Sequence, residues 1–175
     1  MSPRILVVDG HPAKGQALRS LLKWEGLQVV GVAADTTAAL WLADELAPDV
    51  VVVSLTRPLS RCFDTVREIA RAVPPRGVIL VAFEDYLVAR AVQAGVRGYV
   101  LSTRVAEELP TAIRTVGGGG LYLSADIPGA IPVTGGRAAE RSQSPDLVPT
   151  AGSLWQTETA LREFYGYLFY LALSR

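Results

Sequence analysis

The stretch DVVVVSLTRP, Asp49 to Pro58, decides the fold. Four consecutive valines bounded by Asp49 and Ser54 are too uniformly apolar for a strand with one wet face. They suit a parallel strand covered on both sides. In an open parallel sheet, function collects beyond the C-terminal ends of the strands. Ser54 stands at that end, so the fold turns on what surrounds this strand and the function on what a serine does there.

Working outward, the same kind of run recurs. RILVVD (Arg4–Asp9), LQVVGVA (Leu27–Ala33), GVILVAF (Gly77–Phe83) and RGYVLS (Arg97–Ser102) read as four further strands. Between them the apolar period changes to that of a helix. The stripes are Leu18, Leu21 and Leu22; Ala39, Leu42, Ala43 and Leu46; Phe63, Val66, Ala70 and Val73; Leu87, Val88, Ala91 and Val92; and Val105, Leu109, Ala112, Ile113 and Val116. Pro12 suits a first helical turn, Gly95 closes the fourth stripe and Gly117 to Gly120 end the fifth. Five strand–helix units predict an α/β, doubly wound, five-stranded parallel sheet with helices on both faces.

Composition narrows the classes of function. The 175 residues carry 17 basic and 17 acidic side chains, so net charge exerts no general pull toward nucleic acid or an anionic surface. One cysteine, Cys62, permits no internal disulfide and fits a reducing cytoplasm. The N-terminus enters a strand directly, without the pattern of a signal peptide, and no apolar run reaches the ~20 residues of a membrane span. The single histidine, His11, has no cysteine partner nearby and suits a helix start better than a metal. GGGG follows a helix, whereas phosphate-cradling glycines follow a strand. No nucleophile–base pair or metal cluster stands out, so neither an enzyme nor a cofactor is expected.

ILVVDGHP, PDVVVVSLTRP and AVQAGVRGYVLS resemble the receiver domain of bacterial response regulators of the NarL/FixJ type, over roughly Arg4 to Ser124. The resemblance implies a flavodoxin-like sheet of order 2-1-3-4-5 and phosphoryl transfer to an aspartate. It also implies a specific vestige. Of the two acids that end the first strand in that family, Asp9 is present and Gly10 replaces the other. Ser54 replaces the acceptor aspartate, Val81 the fourth-strand hydroxyl and Ser102 the fifth-strand lysine. Tyr99 matches the aromatic that switches rotamer. Asp9 alone cannot assemble a Mg²⁺ site, and a serine hydroxyl needs a base to act as nucleophile. Ser54 is therefore expected to fill a retired site and hydrogen-bond locally. Asp9 is expected to pair with a loop amide or with Arg57, which either neutralises it or points into solvent. The surface of the fourth helix, fifth strand and fifth helix is expected to be a constitutive docking face.

Residues 1–124 thus read as a receiver-like domain, 125–152 as a flexible Pro- and Gly-rich linker, and 153–175 as an aromatic helix. Leu161, Phe164, Tyr165, Leu168 and Leu171 fall at helical spacing and form its interaction face. Asp126 to Arg175 contain five acids and four arginines, which gives no basic recognition footprint, so DNA binding by this chain is not expected. The expected partner is a second copy or another signalling protein. A small molecule in the vacated pocket is the alternative.

Overall fold

The computed structural model describes residues 2–72 and 77–127. Strands and helices alternate: β1 (Arg4–Val8), α1 (Pro12–Trp24), β2 (Gln28–Ala33), α2 (Thr36–Leu46), β3 (Val50–Ser54), α3 (Leu59–Ala72), β4 (Val78–Ala82), α4 (Val88–Gln93), β5 (Val96–Leu101), α5 (Val105–Gly117) and β6 (Tyr122–Leu123). Single 3₁₀ turns, Asp85–Leu87 and Ser102–Arg104, lead into α4 and α5. All pairings are parallel, in the order β2-β1-β3-β4-β5-β6.

The sheet therefore has six strands, not the five expected. Tyr122 and Leu123 follow the glycine run and pair with Gly98 and Tyr99 on the outer edge of β5. Two residues carry too little periodicity to be read as a strand. Only the open edge of β5 gives them one to join. Gly98 is required by packing on the inner side of β5: a Cβ there would lie 2.7 Å from Ile79 Cγ1 of β4.

The valine run behaves as its composition dictates. Val50 to Val53 are all at most 2% exposed and alternate between two apolar layers. Leu6, Val8, Val51, Val53, Leu80 and Tyr99 face α2, α3 and α4. Ile5, Val7, Val50, Val52, Ile79, Val81 and Val100 face α1 and α5. Parity places Asp9, Ser54 and Ser102 on the α1/α5 side, each one step beyond this packed core.

The helices carry their expected stripes with one substitution. In α3, Ile69 is fully buried whereas Ala70 is only partly so; Val73 lies outside the described residues. Cys62 is buried in α3, and burial pushes its thiol pKa up. Pro12 opens α1 at its first position. Gly95, at φ 95°, ends α4 in a conformation a side chain would resist. Among the described residues, no helix is long and apolar enough to cross a membrane.

Candidate functional site at the C-terminal edge of the sheet

β1, β3 and β4 deliver their last residues in one row. Val8 pairs with Val53, and Ser54 with Val81, so Asp9, Ser54 and Val81 sit side by side on adjacent strands. Parallel strands lie about 4.8 Å apart. Val81 pairs in turn with Val100, and Ser102 follows two residues later on the same face. The sheet therefore gathers the residues singled out in the sequence: Asp9, Gly10, Ser54, Val81 and Ser102.

Their chemistry is sparse. Asp9 is 2% exposed, and its Oδ1 accepts the His11 N–H at 2.8 Å. This is the loop-amide pairing anticipated for it. Its Oδ2, like Ser102 Oγ, is buried with no hydrogen-bond partner among the described residues. Ser54 is half-buried, and its hydroxyl makes no bond to the described protein. The expected local bond is absent because the side chain stands at the solvent margin, where water can satisfy it. Val81 is 6% exposed and belongs to the apolar layer against α5. Gly10 leaves room: a Cβ there would meet nothing closer than 3.8 Å.

Arg57 does not neutralise Asp9. Its side chain is 78% exposed, and its Nη2 donates to Glu84 Oε1 at 3.3 Å. The arginine follows the acid of the β4–α4 loop because that carboxylate is accessible, whereas Asp9 is enclosed. Glu84 has a second role: its backbone carbonyl accepts the Tyr99 hydroxyl. Tyr99 is 1% exposed, pointing into the α2–α4 layer. Burial, with the neighbouring acids Glu84 and Asp85, holds its pKa well above the ordinary tyrosine range.

The receiver resemblance implies Mg²⁺, and the donor set does not fit it. Mg²⁺ keeps near-octahedral oxygen coordination, with one or two carboxylates as its protein anchors. Here one carboxylate oxygen remains, beside a glycine and a half-exposed hydroxyl. Among the described residues, no three His, Cys, Asp or Glu side chains converge.

A second polar cluster went unread in the sequence. Glu108 of α5 is 8% exposed, accepts the Ser124 hydroxyl, and accepts the Ala125 N–H at 3.3 Å. Arg104 Nε lies 3.3 Å from Glu108 and 3.0 Å from Asp126. The Glu108 carboxylate lies beside the Tyr122 hydroxyl, and burial together with that carboxylate pushes the phenol's pKa up to about 12. The Ser124 N–H donates to the Tyr99 carbonyl at 2.9 Å, and Ile127 is buried in the α2–α4 layer. Residues 125–127, assigned in the sequence to a linker, are thus packed on the domain. The expected α4–β5–α5 docking face is altered accordingly, because β6 covers the edge of β5. A Glu one helical turn after Arg104 looked like an ordinary surface pair, and nothing local pointed to Ser124. The interaction-helix residues Leu161, Phe164, Tyr165, Leu168 and Leu171 lie outside the described residues.

Residues 5–114 match the family described as the response regulator receiver domain. Response regulator GacA of Pseudomonas aeruginosa is 38% identical over 127 residues, covering 71% of this chain and 59% of that protein. Transcriptional regulatory protein LiaR of Bacillus subtilis is 29% identical over 131 residues, covering 73% of this chain and 62% of that protein. The chain therefore spans about three-fifths of the length of these relatives. Among solved structures, a LuxR-family two-component response regulator from Aurantimonas sp. SI85-9A1 superposes with a TM-score of 0.66 at 31% identity, over 73% of this chain and 93% of that one. The isolated REC domain of RcsB from Salmonella enterica serovar Typhimurium gives 0.62 at 21% identity, over 70% and 92%, a likeness of fold alone.

Proposed function

This chain belongs to the response regulator receiver domain family, and we propose that it is an atypical member that works without phosphorylation, as a protein-interaction and dimerisation module in bacterial signalling or transcriptional control. One observation carries the proposal: the row that ends β1, β3 and β4 offers one carboxylate, Asp9, beside Gly10, Ser54 and Val81, and β5 ends in Ser102. Phosphoryl transfer rests on positioning, metal and a cation for the developing charge, and this row supplies none of the three. Tyr99 stays inward with its hydroxyl on the Glu84 carbonyl, so the surface it shapes is presented without an input from the pocket.

The test is incubation with acetyl phosphate and Mg²⁺ followed by intact-protein mass measurement. The expected result is no adduct. Stoichiometric gain of one phosphoryl group on Ser54 or Asp9 would overturn the reading. The dimer contact is assigned, from sequence pattern alone, to the segment Leu154–Leu173. Its removal should shift the chain toward monomer in sedimentation. No DNA contact and no catalytic activity are part of this proposal, although several relatives are named as transcriptional regulators.

A second reading, a small-molecule sensor, is favoured by a specific observation. Asp9 Oδ2 and Ser102 Oγ are buried without a hydrogen-bond partner among the described residues. Native mass spectrometry of chain purified without denaturant separates the two readings, since a stoichiometric bound compound supports only the second.

A further inference from the structure

The β4–α4 loop is held at three points by three different elements. From α1, Lys14 Nζ stands 5.5 Å from the centroid of the Phe83 ring. From the loop after β3, Arg57 reaches Glu84 Oε1 at 3.3 Å. From β5, the Tyr99 hydroxyl donates to the Glu84 carbonyl. Phe83 is 66% exposed, so its ring lies outside the apolar core with the Lys14 ammonium facing it. Arg57 pairs with Glu84 and Lys14 lies over Phe83, so both cations meet the same loop.

We propose that Lys14 and Arg57 form an electrostatic latch that holds the loop Phe83–Asp85 in place and, through the Glu84 carbonyl, keeps Tyr99 inward. The proposal rests on the reading that the position of Tyr99 is the output of this domain. It names what sets that position in a chain whose pocket has no phosphoryl group to do so. The phenol needs an acceptor in the interior, and among the described residues the acceptor it has is a carbonyl on a surface loop. Whatever moves residue 84 therefore leaves a buried hydroxyl unpaired, which favours expulsion of the ring. The input to such a latch is ionic. Screening by salt, or an anion competing for Lys14 and Arg57, weakens both cation contacts without involving Gly10, Ser54 or Ser102. Exposed contacts of this kind each shift a local equilibrium by about two- to fivefold, so losing both amounts to roughly tenfold.

The experiment is hydrogen exchange of the full chain with NMR of labelled tyrosine rings, comparing wild type with the double variant Lys14→Ala/Arg57→Ala. Both positions are on the surface, so the variant should fold. The expected result is about tenfold faster exchange across residues 83–88, with a shifted or broadened Tyr99 ring signal and unchanged amides in β1 and β3. Raised NaCl should reproduce this in wild type and add little to the variant. Glu84→Gln should match Arg57→Ala and not add to it. Wild-type exchange in the double variant overturns the latch, as does a loosened loop with an unmoved Tyr99 ring. Phosphoryl uptake in the acetyl phosphate assay would refute the proposed function while leaving these results intact, so the two failures are distinguishable.

Discussion

Two polar regions of this molecule lie on either side of β5 and have opposite economies. At the C-terminal edge of the sheet, polar atoms are few and poorly matched: Asp9 Oδ2 and Ser102 Oγ are buried without hydrogen-bond partners among the described residues. Along the outer edge of β5 more groups converge on one carboxylate, although Arg104 Nε is held there by ion pairs and not by a hydrogen bond. Glu108 meets Ser124, Ala125, Arg104 and Tyr122 together, and Arg104 also reaches Asp126 and Glu107. A buried charge is tolerated where several donors converge and is a liability where they do not. The contrast teaches that the buried carboxylate with several converging partners is the one that closes the domain, by tying Ser124 and Ala125 to α5.

The strongest way to break the comparison is to empty the matched cluster. Glu108→Ala removes the acceptor for a buried hydroxyl and one carboxylate partner of Arg104, and should destabilise the domain by about 2–4 kcal/mol in urea denaturation. Hydrogen exchange should locate the loosening first in residues 121–127. A change below about 0.5 kcal/mol would mean that the cluster is not what holds β6 in place.

The complementary change should act in the opposite direction. Asp9→Asn keeps an oxygen for the His11 N–H and removes an uncompensated charge, so stability should rise by about 1 kcal/mol. In a receiver that uses this acid for metal the same change would abolish function. Here, partner binding should be retained. A loss of stability would show that Asp9 has a cationic or ligand partner in solution.

Tyr99→Phe sharpens the comparison at the boundary between the two regions. It deletes the bond to the Glu84 carbonyl while leaving the ring packed, and should cost about 1 kcal/mol. A neutral outcome would place the weight of the inward ring on packing alone.

The smallest effect is confined to alkaline pH. Burial and Glu108 favour the neutral phenol of Tyr122, whose pKa in the folded protein is pushed up to about 12. An unfolded tyrosine titrates near 10. The stabilisation is therefore fully present below about pH 10 and is lost as pH rises toward 12. Glu108→Gln should lower the Tyr122 midpoint in a tyrosinate absorbance titration. Arg104→Ala should raise it, because the guanidinium favours the phenolate.

Much of this was legible before any coordinates. The period of apolar residues is a local property, so Val50–Ser54, the α5 stripe and the alternation of strands with helices could be read directly. Strand ends alone placed Asp9, Ser54 and the end of the fourth strand on one edge, because a parallel sheet aligns the residues that terminate neighbouring strands; the receiver resemblance singled out Val81 there. Its chemical poverty was equally visible, since a missing carboxylate at 10 or 54 is a matter of identity and not of geometry.

What only the tertiary structure decided depends on partners distant in the chain. Arg57 could have turned to Asp9 or to solvent; it turned to Glu84, 27 residues on, because that carboxylate is partly accessible and Asp9 is enclosed. Ala125 to Ile127 resembled the start of a linker because three residues have no period of their own. The free edge of β5 and the buried carboxylate of Glu108 made them part of the fold. Residue identity sets what each group can do, and burial and long-range proximity determine which of those capacities is used.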